Sequence, residues 1–95
     1  MTTLTLVTGT AKFIKEASAP NGARWKHYEL TPPLEGHRHV VVSAVDAMFS
    51  GPETFIFPAD ENGEVTGWIE LEGSFRGAKD HARALREAGY GVVDA

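Results

Sequence analysis

The chain has 95 residues and a mass of 10.3 kDa, which is enough for one domain but leaves too small a core for two. It contains no cysteine, so disulfide bonds and thiolate metal sites are excluded. Hydrophobic residues make up 42% and charged residues 23% of the chain, as in globular proteins. We therefore expect a single folded domain over residues 1–95.

The sequence has neither of the signals that would direct it into or across a membrane. Its apolar runs are far shorter than the about 20 residues of a membrane-spanning helix. Residues 1–5 have neither the basic region nor the apolar stretch of a signal peptide. We expect a protein that stays in the cytoplasm and has no membrane partner.

The formal charge of −4 is distributed unevenly along the chain. Residues 1–45 carry five basic and three acidic side chains, whereas residues 53–72 carry six acidic and no basic side chains. Such an acidic segment repels phosphate backbones, so we expect no nucleic acid partner. It favours a basic protein partner, with an acidic hairpin that only aids solubility as the alternative.

Two strands are predicted in the first third of the chain. Residues 3–16 alternate between apolar and polar side chains, and the phase changes at Gly9, which predicts one long strand bent by a β-bulge. The Asn21-Gly22 turn leads into a second strand over residues 24–30, which Pro32 and Pro33 are expected to end. Tyr28 and Leu30 would share one face of this strand. The opposite face would carry Trp25, His27 and Glu29.

Three further strands are predicted in the middle of the chain. Residues 37–47 contain a run of three valines that suits a central strand. Residues 54–57 form a short fourth strand in which Phe55 and Phe57 can fill a core face, and Pro58 is expected to end it. The hairpin turn of residues 60–64 then leads into a fifth strand over residues 65–72. Its polar side would carry Trp68, Glu70 and Glu72.

The hydrophobic period changes after Gly73. Apolar side chains recur at helical spacing over residues 76–88, which predicts an amphipathic helix with Ser74 as the cap and Gly89 as the stop. Its apolar face would consist of Ala78, Ala82, Leu85 and Ala88. Tyr90 is placed to pack onto Leu85, and residues 92–93 can add an edge strand. The fold class is therefore α+β, an antiparallel meander of about five strands with one C-terminal helix packed on one face.

The two tryptophans are the main candidates for a binding surface. Trp25 and Trp68 both fall on polar strand faces, and they would lie together if the second and fifth strands are neighbours. Glu70 and Glu72 would then form an acidic rim around them, a composition typical of protein-binding hot spots. Burial of the indoles beneath a loop or the chain terminus is the alternative.

Metal and anion sites find weaker support. His37 and His39 are two residues apart on a strand, the spacing that a metal can bridge, with His27 or Glu29 as a third ligand only in the right register. Residues 60–64 lack the spacing of a calcium loop. Residues 73–79 enter the helix as some anion sites do, without a P-loop or dinucleotide motif. We expect no cofactor and no bound metal.

Nothing in the sequence indicates catalysis. The chain has no cysteine, and Ser18, Ser43, Ser50 and Ser74 lie outside any nucleophile elbow. So small a domain also has little room for a substrate cavity. We expect a protein that is not an enzyme.

Three stretches carry a resemblance to a known group of proteins. They are residues 53–65 (ETFIFPADENGEV), 71–77 (LEGSFRG) and 80–90 (DHARALREAGY). The chain resembles small uncharacterised accessory proteins of actinobacterial phages, mycobacterial phages among them. The resemblance implies an accessory protein that acts on a host protein in the host cytoplasm, and it assigns no functional residue.

The sequence thus leads to a ranked set of functions. The first is a non-enzymatic module that binds a host protein through Trp25, Trp68, Glu70 and Glu72. The second is a self-assembling structural protein, in which the acidic segment meets the basic half of a neighbour in a homo-oligomer. A small metal-binding or anion-binding protein is the third.

Overall fold

The computed structural model describes residues 8–19, 22–47 and 51–93. These residues form six strands and one helix. In chain order they are β1 (Gly9–Ser18), β2 (Arg24–Leu34), β3 (His37–Ala47), β4 (Gly51–Ala59), β5 (Phe75–Arg76), α1 (His81–Glu87) and β6 (Tyr90–Val93).

The strands form one mixed sheet in the order β5-β4-β3-β2-β1-β6, curled into a half-barrel. Neighbouring strands are antiparallel except for β1 and β6, which pair in parallel. The α+β class is confirmed, but the prediction of a purely antiparallel meander is wrong. The reason is that α1 carries the chain across the sheet before β6, and a crossover of this kind allows parallel pairing.

The bend of β1 lies further along than predicted. The register with β2 shifts between Phe13 and Lys15, so the bulge is at Ile14 and not at Gly9. Gly9 instead allows close packing. A Cβ there would lie 2.7 Å from the Thr31 carbonyl oxygen and 2.8 Å from the Tyr90 ring, so a larger residue has no room. The predicted beginning of this strand, residues 3–7, lies outside the described residues.

β2 does not end at its prolines. It continues to Leu34, although its pairing with β3 jumps from Glu29 opposite His39 to Leu34 opposite His37. Pro32 and Pro33 therefore lie in the interval where β2 makes no ladder with β3, and a missing N–H has no cost there. β3 has the bounds predicted for it.

β4 is longer than predicted and turns its phenylalanines the other way. Pro58 lies inside it, paired with Val40. Thr54 and Ile56 are fully buried and Ile56 belongs to the core cluster under the helix, whereas Phe55 and Phe57 lie on the opposite face, where Phe57 is buried and Phe55 is half-buried.

The predicted fifth strand over residues 65–72 is also wrong. After the turn of residues 60–64, the chain follows the edge of β4 through two separate backbone bonds, Thr66 N–H to Pro58 O (2.9 Å) and Leu71 N–H to Ile56 O (2.8 Å). Residues 67–70 lie between these two bonds and loop out, since they face only one residue of β4. We call residues 67–70 the excursion.

The helix is shorter than predicted and begins later. Asp80, not Ser74, is the N-cap, and its carboxylate accepts the Arg83 N–H at 3.0 Å. Ser74 instead accepts the Ile56 N–H with its hydroxyl oxygen at 2.8 Å. The predicted stop is confirmed, because Gly89 follows the C-cap with φ of 99°.

The helix packs on the inner face of the sheet, as predicted, and Leu85 and Ala88 of its predicted apolar face contact the core. Ala84 and Leu85 are fully buried, whereas Ala82 is exposed. The core between helix and sheet is formed by Ala11, Tyr28, Leu30, Leu34, Val40, Val42, Ile56, Leu71, Ala84, Leu85 and Tyr90. Tyr90 and Leu85 thus share one cluster, and the other face of the sheet is left without the helix.

Candidate functional site: the outer face

Four aromatic side chains form a continuous line across the outer face of the sheet. The ring centroids of Phe55 and Phe57 are 6.0 Å apart, those of Phe57 and Trp68 are 5.3 Å apart, and those of Trp68 and Trp25 are 6.0 Å apart. We call Phe55, Phe57, Trp68 and Trp25 the aromatic row. β4 and β2 supply three of these rings, and the excursion supplies Trp68.

Trp68 is the exposed member of the aromatic row. Its side chain lies edge-on against Phe57, yet 68% of the residue is accessible to solvent. Trp25 is half-buried and Phe57 is buried, so the indole of Trp68 rests on a firm aromatic base. The structure therefore brings the two predicted tryptophans together, although Trp68 reaches this position from a loop and not from a strand.

An arginine closes one end of the aromatic row. The guanidinium of Arg76 lies 5.1 Å from the Phe55 ring centroid. Its Nε is 2.9 Å from Glu53 Oε2, and its Nη2 is 3.8 Å from Glu70 Oε2. The aromatic ring and the two carboxylates therefore all stabilise the positive charge of this guanidinium. Glu70, predicted as part of the rim, lies at this end.

Glu72 occupies a different position from the other predicted rim residue. Its backbone N–H donates to Glu35 Oε2 at 2.9 Å, at the turn between β2 and β3. Burial raises the pKa of Tyr90, and the Glu72 carboxylate contributes to that rise. Glu35 and Tyr90 are not part of the aromatic row. Among the described residues, Glu72 has no contact with that row.

Sequence reasoning missed four members of this surface: Glu53, Phe55, Phe57 and Arg76. The alternation of Phe55 and Phe57 was visible, but a strand of bulky residues on both faces does not show which face is inside. The register of β4 decides it, and that register depends on distant contacts. The predicted helix includes Arg76, whereas in the structure Arg76 lies in β5 beside Glu53.

A histidine pair lies next to the aromatic row. His27 Nε2 and His39 Nδ1 are 2.9 Å apart, and His39 Nε2 is 3.9 Å from Glu29 Oε2. His27 is only 3% exposed, and its Nδ1 is a buried nitrogen without a hydrogen-bond partner among the described residues. Burial lowers the pKa of His27, and the neighbouring His39 and Lys15 lower it further.

Three of the candidate metal ligands, His27, His39 and Glu29, lie near one another, whereas His37 pairs with Leu34 at the start of β3. The described residues contain no group of three or more His, Asp or Glu side chains able to hold a metal ion. His27 and His39 meet each other directly, and Glu29 faces His39 across the ladder. One nitrogen of each imidazole is therefore engaged in a hydrogen bond to the other ring, which is a different arrangement from ligands around a cation.

Residues 60–64 and 73–79, the two candidate ion-binding loops, use polar groups in hydrogen bonds within the protein. In the turn of residues 60–64, Asp60 accepts the N–H groups of Asn62 (2.9 Å) and Glu64 (3.0 Å), which lowers its pKa. Before the helix, the Gly77 N–H donates to Pro52 O at 2.8 Å and the Asp80 N–H to Thr54 Oγ1 at 3.0 Å. These amides are not free to hold an anion.

A cleft of ≈ 470 Å³ lies beside the start of the helix. It is lined in part by Arg24, Asp46, Lys79 and His81. Its two permanent cations are already paired, Lys79 with Asp46 at 2.6 Å and Arg24 with Glu16 at 2.8 Å. Burial lowers the pKa of His81, which disfavours a third charge there. The cleft therefore offers a charged ligand little uncompensated charge.

No family model, no curated protein and no solved structure matches the chain. Among the described residues there is no helix with the length and apolarity that crossing a membrane requires. What the geometry defines is a small α+β domain whose helix covers one face of a curled sheet, with an aromatic row on the other face.

Proposed function

We propose that this protein is a non-enzymatic binding module and that its aromatic row receives a basic, arginine-containing segment of a partner protein. The observation that carries the proposal is the position of Trp68. A large indole that is 68% exposed and supported by two other rings is an unusual feature for the surface of a small protein and is typical of a binding anchor.

The chemistry of the partner follows from the charges around the row. Two acidic side chains of residues 53–72, Glu53 and Glu70, lie at the Arg76 end of the row, and such an acidic end favours a cationic partner. Arg76 illustrates the preferred group, since its guanidinium stacks on Phe55 between Glu53 and Glu70. A second guanidinium from the partner would stack on the open face of Trp68 in the same manner.

The direct test is a fluorescence titration with an oligo-arginine peptide and a length-matched oligo-lysine peptide. We expect tighter binding of the arginine peptide, because guanidinium stacks on indole better than ammonium does. Trp68→Ala should weaken binding of the arginine peptide by about 5-fold to 30-fold, the equivalent of about 1–2 kcal/mol for one cation–π contact.

The matched control is Ile69→Ala, because Ile69 is the next residue in the excursion and is 67% exposed. This variant should bind the arginine peptide as the unaltered protein does. Equal losses in Trp68→Ala and Ile69→Ala would show that general exposure of the excursion, and not the indole, is responsible. Failure of the unaltered protein to prefer arginine over lysine would refute the proposal.

The biological setting that we propose is that of a phage accessory protein whose partner is a host protein in the host cytoplasm. It rests on the resemblance of residues 53–65, 71–77 and 80–90 to actinobacterial phage proteins. In actinobacterial lysate, an authentic partner should be displaced from the unaltered protein by the oligo-arginine peptide and should not be recovered with Trp68→Ala. A partner recovered equally by both proteins would contradict this setting.

Self-association is the second candidate, and the edge of the sheet favours it. β6 is one of the two edge strands of the described sheet, and Val92 and Val93 on it are 39% and 42% exposed. An apolar edge strand can pair with the same strand of a second copy. Light scattering across a salt series should then reveal a dimer that is lost in Val92→Lys; a monomer at every salt concentration would exclude it.

A further inference from the structure

The histidine pair beside the aromatic row is built around one unsatisfied nitrogen. His27 Nε2 and His39 Nδ1 are 2.9 Å apart, so one of the two must carry the bridging proton. If His27 donates it, His39 carries its own proton on Nε2, toward the Glu29 carboxylate at 3.9 Å. His27 Nδ1 is then a bare lone pair, whereas the opposite arrangement would leave it as a buried N–H with no acceptor. The neutral pair therefore has one favoured proton arrangement.

The turn of residues 60–64 covers the bare nitrogen. A Cβ added at Gly63 would lie 2.8 Å from His27 Nδ1 and 3.1 Å from His27 Cγ, so the Gly63 backbone packs directly on the imidazole. The turn is closed by the Asp60 N–H to Glu64 O bond at 2.9 Å. The cavity beside the ring measures ≈ 20 Å³, which is room for about one water molecule and not for a hydration shell.

Titratable groups on β1, β2, β3 and the turn of residues 60–64 surround His27. His39 on β3 and Lys15 on β1 oppose a positive charge on the ring, and Glu29 on β2 and Asp60 in the turn favour one. Burial is the largest influence and also opposes the charge, so the pKa of His27 is lowered. A proton added to His27 must therefore create a buried cation under Gly63 or move the turn aside.

The turn is directly connected to the excursion. Only Val65 and Thr66 separate it from residues 67–70, and Thr66 is held by its bond to Pro58 O. Val65 also pairs with Ala59 of β4, so the turn and the segment that positions Trp68 over Phe57 and Trp25 share one attachment to the sheet. A displacement of the turn that breaks this attachment frees both. We propose that the His27–His39 pair is an acid-responsive latch: protonation of the pair releases the turn of residues 60–64 and withdraws Trp68 from the aromatic row.

The direction of the pH dependence follows from linkage. A histidine whose pKa is lowered in the closed state stabilises that state fully above its ordinary value of about 6.5, and this stabilisation is lost as the pH falls. Each pH unit below about 6.5 shifts the equilibrium toward the open turn by up to about tenfold, until the pKa of the closed state is reached. The latch is closed at neutral pH and opens in acid.

The test is tryptophan fluorescence and far-ultraviolet circular dichroism of the full chain from pH 8 to pH 5. We expect a reversible change in the emission of Trp68, in a Trp25→Phe background, at pH values where the circular dichroism is constant. His27→Gln keeps a donor toward His39 but cannot titrate, and it should abolish the change. His37→Gln, on β3 outside the pair, should retain it.

Two results would overturn the latch: no change in emission before the fold itself is lost, or the same change in His27→Gln as in the unaltered protein. If His27→Gln does not fold, hydrogen exchange of the unaltered protein decides the matter. The amides of Asn62 and Glu64 should lose protection below pH 6.5 while those of β3 keep theirs; equal protection at both pH values refutes the latch. The arginine preference at neutral pH does not depend on this outcome.

Discussion

The contact between Gly73 and the helix provides a quantitative test of the fold. Gly73 has φ of +102°, a backbone conformation that is unfavourable for residues with a Cβ atom. A Cβ at this position would clash with the Ala84 carbonyl oxygen and lie 3.0 Å from both Ala88 Cβ and Ile56 Cδ1. Gly73→Ala must therefore push α1 away from the sheet, because the nearest obstacle is helix backbone and cannot rotate aside.

The magnitude follows from a comparison with Gly77. Gly77 has φ of +109°, and a Cβ there would meet nothing within 4 Å. Gly77→Ala should therefore lose only the conformational contribution, about 1–2 kcal/mol of unfolding free energy. Gly73→Ala should lose this amount and a further about 1–3 kcal/mol for overpacking against α1.

The assay is urea unfolding of the two variants and the unaltered protein, followed by circular dichroism. The midpoint of Gly73→Ala should lie clearly below that of Gly77→Ala, with the same dependence on denaturant. Equal midpoints for the two variants would show that α1 does not pack against Gly73, and the position of the helix on the inner face would then be wrong.

Two further predictions concern the way the chain enters the helix. Thr54→Val removes a buried hydroxyl that donates to Ala78 O and accepts the Asp80 N–H, and it should cost about 1–3 kcal/mol in urea unfolding because both backbone groups lose their partner; an unchanged midpoint would refute this role. Asp80→Ala removes the N-cap and should cost about 0.5–2 kcal/mol, whereas Asp46→Ala breaks only an exposed ion pair and should cost at most about 1 kcal/mol; if the two differ in the opposite order, the cap assignment fails.

The parts of the fold that local chemistry determines could be predicted from the sequence. The valine run of β3, the hairpin turn of residues 60–64 and the glycine stop at Gly89 each depend on neighbouring residues only, and the structure has all three. The separation of Tyr28 and Leu30 from His27 also follows from strand alternation.

The parts that depend on distant partners could not be predicted. Pro33 belongs to a strand because β3 is out of register beside it, and the parallel pairing of β6 depends on where α1 ends. The helix begins after Asp80, where Thr54 holds the preceding chain through a contact between residues 26 positions apart. No local pattern contains this information.

The candidate site likewise combines features that local sequence predicts with features that depend on distant contacts. The outward direction of Trp25 followed from alternation in β2, but the way Trp68 reaches it did not. The excursion exists because the chain is tied to β4 at Thr66 and again at Leu71, and the residues between these ties are too many for a regular strand. The row of rings therefore arises from an irregularity that alternation cannot predict.

The most direct measurement of the central claim is acrylamide quenching of Trp68 in a Trp25→Phe variant, with and without saturating oligo-arginine peptide at neutral pH. Our account predicts that the indole is readily quenched in the free protein and is protected when the peptide is bound. An indole that resists quenching in the free protein, or one that is quenched equally in the presence of bound peptide, would contradict it.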